Sequence, residues 1–362
     1  MEQEFTIVVP LSDHRQQAEA AVEAWNHQDY AADRFEVVVV AGPDEETLVP
    51  DVARRLRPQD RVLRVDASFY AVQADAACRA ARFPWLLLTE SHVLPEPTCL
   101  SRLAAWYARH EGMYAGGSLK SYGLNANWIA ECEQRLYDDD YVRRMAADHW
   151  NKVTVRGFTL SRQLYLQSGG FDLRYGHFAE LLWGYELFRQ GHRFTAVADA
   201  VVGHYNNDGW SSLREDLLDF GRGLGRFRVE HPLHPLQQWL PSSRVWESVQ
   251  ARERWRQGTV EGLVEGAGDE QPHLTGRKLQ RALWRGPRWQ RLAARWRQWR
   301  GRLQLATRSL SADETLRLFA RVWQAMIDEG EADYFARRPA PYTAPLRRYP
   351  EEPLRNVSPA AA

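Results

Sequence analysis

Four short runs near the start of this chain constrain its fold more than anything else in it. Phe5-Thr6-Ile7-Val8-Val9-Pro10 is an apolar strand stopped by proline, and Phe35 to Val40 is a second, almost wholly apolar one. Arg61 to Val65 and Pro84 to Leu88 read as a third and a fourth strand. An Ala-rich helix over residues 14–27 separates the first two, and a helix from Val72 to Arg82 separates the last two. Apolar strands without polar alternation belong to a parallel sheet covered on both faces. The alternation therefore predicts an α/β fold with a doubly wound, mostly parallel sheet, whose ligand lies beyond the strand C-termini.

Length and charge narrow the reading. With 362 residues, 44% of them apolar, the chain suffices for one substantial domain and an appendage. No apolar run approaches the roughly 20 residues that span a bilayer, and no basic segment followed by an apolar one opens the chain. The expectation is a cytoplasmic protein. Cys78, Cys99 and Cys132 have no CxxC spacing and leave one odd, so they read as buried thiols rather than a disulfide or zinc framework. Zero net charge hides a division: residues 1–250 carry a balance of −8 and residues 251–362 one of +8.

The most telling motif lies between Val155 and Tyr205. A Gly169-Gly170-Phe171-Asp172 turn is followed by Glu180, which opens an amphipathic helix closed at Gly191, and then by a strand from Ala196 to Val202 that leads to His204. Over residues 4–230 this order resembles the large inverting glycosyltransferase family 2, with its A-type (nucleotide-diphospho-sugar transferase) α/β fold. Members carry the Gly-Gly-Phe-Asp turn, a Glu-Asp pair at a helix start and a glycine after that helix. Laid on this sequence without gaps, the pair falls on Ala179-Glu180 and the glycine on Gly191, so the resemblance makes Glu180 the catalytic base.

The chemistry asks for such a group independently, because an acceptor hydroxyl attacking an anomeric carbon must lose its proton as it does so. A helix N-terminus would hold Glu180 ionised, as a base requires. An acid in an exposed first turn would equally just stabilise its helix. Glu186 is the rival, but six residues along a helix turn it about 120° away.

The family places an Asp-x-Asp metal motif at the end of its fourth strand, where this chain has Leu88-Thr89-Glu90-Ser91-His92. Residues two apart in an extended chain project together. The strict register offers Thr89 and Ser91, poor ligands; shifted by one, Glu90 and His92 serve. His204 matches the late histidine of many members. A Glu/His set suits a divalent cation, with Mn²⁺ favoured over Mg²⁺.

For the donor, the resemblance implies Pro10 at the end of the first strand, then Ala41, Gly42 and Asp44 after the second, Asp66 after the third, and Asp75 in the following helix. Helix capping explains Asp44 and Asp75 equally well. UDP is the family's commonest donor nucleotide. For the sugar and acceptor pocket the resemblance points to Gly169, Gly170, Phe171, Asp172, Trp183 and Arg156. Tyr114 to Arg156 holds a Gly116-Gly117 turn, a helix around Ile129 to Met145, and the further candidates Trp150 and Lys152. Arg222, Arg226 and Arg228, on the helix from Ser211 to Glu230, are possible partners for a leaving diphosphate.

Past this point the resemblance fades. The organisation expected is a catalytic domain over 1–230, a linker over 231–272, a basic amphipathic helical extension over 273–330, and a poorly ordered Pro-rich tail over 331–362. Residues 277–308 contain eleven basic side chains and no acid. Within them Trp289, Leu292, Trp296, Trp299 and Leu303 fall at 3-4 spacing on one helix face, with arginines around the other sides. Such a helix either docks on the acidic catalytic domain or makes peripheral membrane contact through residues 288–305. No nucleic-acid-binding motif accompanies the basic patch.

The function expected is transfer of a sugar, with inversion, from a nucleotide donor, a UDP-sugar first of all, to an acceptor hydroxyl. The alternative is a catalytically degenerate member acting as a partner- or membrane-binding scaffold, for which the absent Asp-x-Asp and the altered base-binding turn speak.

Overall fold

The computed structural model describes residues 3–140, 153–240 and 287–337; Trp150, Lys152, residues 241–286 and the tail from 338 lie outside them. The described strands are β1 (Phe5–Pro10), β2 (Phe35–Ala41), β3 (Arg61–Arg64), β4 (Trp85–Leu88), β5 (Val93–Pro95), β6 (Gly116–Gly123), β7 (Phe158–Ser161) and β8 (Phe194–His204). The helices are α1 (Ala18–Asn26), α2 (Val49–Ala53), α3 (Tyr70–Ala80), α4 (Cys99–Arg109), α5 (Trp128–Asp140), α6 (Arg162–Ser168), α7 (Phe178–Arg189), α8 (Trp210–Glu230), α9 (Pro287–Thr307) and α10 (Ala312–Arg337).

The strands form one sheet in the order β3-β2-β1-β4-β7-β6-β8-β5. β3, β2, β1 and β4 run parallel, as their apolar runs predict, and β1 and β2 are buried along their whole length. Glu36 is the polar exception inside β2. It is fully buried and is satisfied by the Thr6 hydroxyl at 2.8 Å and by Arg61 and Arg82, so its charge is matched on the sheet. Beyond β4 the sheet becomes mixed: β7 is antiparallel to β4 and β6, β6 is parallel to β8, and β5 is antiparallel to β8. The Gly116-Gly117 pair does not make a turn but starts β6, where glycine allows close pairing: a Cβ at Gly116 would stand 2.0 Å from the Thr159 carbonyl oxygen on β7.

The apolar core on one side of the sheet joins Phe5, Ile7 and Val9 of β1 to Val22 and Trp25 of α1 and Leu100, Leu103 and Trp106 of α4. All three cysteines are buried and unpaired. One expectation is corrected at the first turn. Asp13, Arg15 and Gln16 have φ of 54°, 47° and 59°, incompatible with the right-handed helix expected from residue 14, so α1 starts only at Ala18.

The described residues divide into two compact units, one over residues 3–210 and one from residue 211 onward. The described part of the second unit is mainly α8, α9 and α10. There α8 and α10 cross backbone to backbone: a Cβ on Gly221 would meet the Ile327 carbonyl oxygen at 2.2 Å, and one on Gly330 the Leu218 carbonyl oxygen at 2.2 Å. Glu329, Glu331 and Asp333 of α10 are buried between these helices and matched by arginines. Arg214 and Arg295 meet Glu329, Arg228 meets Glu331, and Arg222 and Arg291 meet Asp333. Arg222, Arg226 and Arg228, read from the sequence as diphosphate partners, are thus engaged with acids of their own unit.

Candidate active site

The parallel strands aim their C-termini at one rim of the sheet, and the chain leaving β4 crosses it as Thr89-Glu90-Ser91-His92. The Thr89 N–H extends the ladder to the Val8 carbonyl at 3.1 Å, and Thr89 and Ser91 are wholly buried. Glu90 and His92 therefore form the pair that the alternation leaves for ligands. β5 then pairs with β8, setting Val93 opposite His204, and the Tyr205 N–H donates to the His92 carbonyl at 3.2 Å. This pairing brings His204 to His92 across 112 residues of sequence.

The three donor atoms form a small triangle. His92 Nε2 and His204 Nε2 are 3.2 Å apart, His204 Nε2 and Glu90 Oε2 3.2 Å, and His92 Nε2 and Glu90 Oε2 3.6 Å. A cation bonded at about 2.1 Å holds its ligand atoms about 3.0 Å apart at right angles and about 3.4 Å apart at tetrahedral angles. The triangle matches that spacing, so these residues fit a divalent cation. Among the described residues no other trio of His, Cys, Asp or Glu converges in this way.

The surroundings prepare the ligands. His92 Nδ1 donates to the Asp13 carbonyl at 2.7 Å, which turns the Nε2 lone pair toward Glu90. His204 Nδ1 meets Asn206 Oδ1 at 3.0 Å and the Arg156 guanidinium at 2.6 Å. Burial pushes both histidines well below the usual histidine range. Glu90 opposes this at His92, whereas Arg156 and Arg15 reinforce it at His204. Both imidazoles are thus held neutral, the form that binds metal.

Glu180 lies in the first turn of α7, partly buried, with Oε2 accepting from the Val155 N–H at 3.2 Å. Burial pushes its carboxyl up to about 7; the Tyr70 hydroxyl, His177 and the Val155 N–H favour the charged form, and the Glu90 charge opposes it. Sequence reasoning expected the helix N-terminus to keep Glu180 firmly ionised. Desolvation outweighs that dipole, leaving a carboxylate poised near neutrality. Glu186 is turned away and bonded to Arg189 at 2.9 Å.

The donor candidates surround the same rim. Pro10 ends β1 and Ala41 ends β2, both buried. Gly42 is needed because a Cβ there would stand 2.3 Å from the Ala67 carbonyl oxygen, so the close approach it permits is to the chain beyond β3. Its N–H donates to Glu45 Oε2 at 2.7 Å, which also accepts from Gln73. Asp44 and Asp66 are exposed beyond β2 and β3. Asp75 sits inside α3 rather than at a cap, accepting from the Tyr165 hydroxyl at 2.8 Å and paired with Arg79.

The acceptor candidates separate. Gly169 and Gly170 have φ of 83° and 71° and end α6 as a left-handed turn. Phe171 and Trp183 are buried against each other, with ring centroids 4.9 Å apart, and Asp172 caps the short turn after it by accepting from the Arg174 N–H. This motif sets the path of the chain into α7. Arg156 is buried and reaches Gln134, Asn206 and His204, so it braces the histidine.

Sequence reading missed the Asp13 carbonyl, Arg15, Tyr70 and Asn206. Arg15 is paired with Asp13 and donates to the Tyr205 carbonyl, which ties the first loop to the end of β8. Only Asn206, two residues after His204, carried a signal that proximity in sequence could reveal.

Mannosyltransferase PcManGT from Pyrobaculum calidifontis, solved in complex with GDP-Man and Mn²⁺, aligns at TM-score 0.53 and 16% identity over 93% of this chain and 89% of its own. S. aureus TarS aligns at TM-score 0.44 and 14% identity over 63% of this chain and only 43% of its own, and its fragment 1–349 in complex with UDP-GlcNAc at 0.44 and 13% over 65% and 77%. No curated protein matches the sequence. Residues 3–258 match the family described as Glycosyltransferase like family 2, over more than half of the chain. On that match and on its A-type glycosyltransferase fold, the chain belongs to glycosyltransferase-like family 2.

Proposed function

We propose that this protein moves a sugar from a nucleoside-diphosphate donor to an acceptor hydroxyl by one in-line displacement, with inversion at the anomeric carbon. The observation that carries the reading is the convergence of Glu90, His92 and His204 at the end of β4, with Glu180 close enough to feel the charge of Glu90.

In the reaction the acceptor oxygen forms the new bond as the anomeric carbon–oxygen bond to the diphosphate breaks. The bonding pair leaves with the diphosphate, and the hydroxyl proton passes to Glu180. A group titrating near 7 is matched to that transfer at neutral pH. Glu90, His92 and His204 would hold a divalent cation, Mn²⁺ before Mg²⁺, which when bound neutralises charge on a departing diphosphate. The Asp13 carbonyl and the Asn206 amide oxygen accept from Nδ1–H of His92 and His204, which leaves each Nε2 to ligate, and Arg15 adds positive charge beside Glu90. Asp44 and Asp66 are the carboxylates available for base or ribose, with a UDP-sugar as first donor. PcManGT was solved with GDP-Man, which makes GDP the second nucleotide to try.

A non-catalytic scaffold would have no need of three mutually aimed ligand atoms and a carboxylate poised near neutrality, so the enzyme reading is the better supported. Calorimetric titration of UDP and GDP with Mn²⁺, with Mg²⁺ and with chelator tests it. Metal-dependent binding of either nucleotide is expected; binding of neither, alone or as nucleotide sugars, overturns the reading.

A further inference from the structure

Helix α9 is built inside out. Its buried positions are Gln290, Ala294, Gln298 and Gly301, a polar and small-residue face. Trp289, Leu292, Trp296, Trp299 and Leu303 are instead exposed, by 54%, 53%, 54%, 60% and 45%. At 100° per residue the two sets point about 180° apart. The orientation has a cause within the helical unit. Gln298 bonds the Ala325 carbonyl at 3.1 Å and Glu329 at 2.8 Å, Arg291 and Arg295 reach Glu329 and Asp333, and a Cβ at Gly301 would stand 2.4 Å from Val322 Cγ2. The acids of α10 hold the polar face of α9 inward, so its apolar face is presented outward.

The outward face has a specific chemistry. Three tryptophans and two leucines form a stripe along a helix of about 32 Å, from 21 residues at about 1.5 Å each. Arginines border it on both sides: Arg288, Arg291 and Arg295 along one edge, Arg297 and Arg300 along the other, with the Arg300 guanidinium over the Trp296 ring, 5.3 Å from its centroid. No acid occurs from 277 to 308. Indole rings favour the boundary between lipid headgroups and acyl chains, and bordering arginines meet lipid phosphates. A nucleic acid would engage the arginines but leave the leucines uncovered. No helix among the described residues is long and apolar enough to cross a membrane, so the contact suited to this face lies along the surface.

We propose that the outward face of α9 docks on an anionic lipid membrane, with Trp289, Trp296 and Trp299 in the interface and Arg288 and Arg300 on the headgroups. The inference is independent of the glycosyltransferase reading. Its test is cosedimentation of the full chain with vesicles of phosphatidylcholine alone and of phosphatidylcholine mixed with phosphatidylglycerol, alongside the W296S/W299S variant. Both rings are exposed, so circular dichroism of the variant is expected to be unchanged. The wild-type chain is expected to partition onto the anionic vesicles, more weakly onto the neutral ones, and less as salt is raised. The variant should lose affinity by at least about 10-fold. Failure of the wild type to bind anionic vesicles overturns the proposal, as does equal binding by the variant. A wild-type dimer that the variant converts to monomer, without vesicle binding, would assign the face to a second copy instead. R288Q/R300Q provides the second readout: loss of the preference for anionic over neutral vesicles is expected, and an unchanged preference also overturns the proposal.

Discussion

Replacing Glu180 by glutamine should slow sugar transfer by orders of magnitude and yet make the protein more stable above neutral pH. The carboxyl is raised from an ordinary 4.5 to about 7. Between those values the folded protein binds the proton that the unfolded chain has released, so stability falls as pH rises through the window. Above about 7 the penalty is complete. A shift of about 2.5 units at about 1.36 kcal/mol each sets a ceiling of about 3.4 kcal/mol. Glu180 is only partly buried and solvent screens it, so about half of this, roughly 1–2 kcal/mol, is the working figure. Glutamine keeps the acceptor for the Val155 N–H and carries no charge, so it escapes the penalty. Thermal unfolding of both proteins with chelator present, at pH 4.5 and pH 8.5, reads the difference. The variant is expected to gain roughly 2–6 °C at the higher pH and nothing at the lower. Transfer should drop by about 10²–10⁴-fold, and wild-type kcat/KM should rise through about pH 7 to a plateau. A variant equally destabilised at both pH values, or one that keeps its transfer activity, refutes the reasoning.

Three further outcomes follow from the same geometry. His92→Ala and Glu90→Ala should each remove the metal dependence of nucleotide binding in calorimetry while leaving the circular dichroism spectrum unchanged, since the two side chains meet at the rim and not in the apolar core. Asn206→Leu should weaken Mn²⁺ affinity by about 10–100-fold through His204, whose Nδ1–H its amide oxygen accepts, without contact to the cation, in a direct metal titration. Gly170→Ala should destabilise the first unit by roughly 2–4 kcal/mol in denaturant unfolding, because φ is 71° and the new methyl would lie 2.7 Å from the Tyr165 hydroxyl.

The first four strands were legible because each depends on local pattern. A strand buried on both faces is apolar along nearly its whole length, so β1, β2 and β4 announced themselves in residues 5–10, 35–41 and 85–88. The family resemblance pointed to the end of β4, where two-residue alternation paired Glu90 with His92, and the same resemblance marked Glu180 as candidate base at a helix start. The site's supporting groups were not legible. Asp13 immediately precedes the stretch read as helix from residue 14 and Arg15 lies within it, and a left-handed backbone at three non-glycine residues leaves no trace in sequence. Nor does local pattern price desolvation: burial raises the Glu180 carboxyl even though the Tyr70 hydroxyl, His177 and the Val155 N–H favour its charged form.

Residues 289–303 divide the two kinds of information most sharply. Spacing of the tryptophans and leucines specifies an amphipathic helix with one apolar face, since 3.6-residue periodicity is a property of the chain alone. Which face turns inward is not such a property. It depends on what the neighbouring helix presents, and α10 presents Glu329 and Asp333, buried charges that require arginine and amide partners. Leaving those carboxylates unpaired would cost more than exposing indole rings, so the polar face was drawn in and the apolar one left outside.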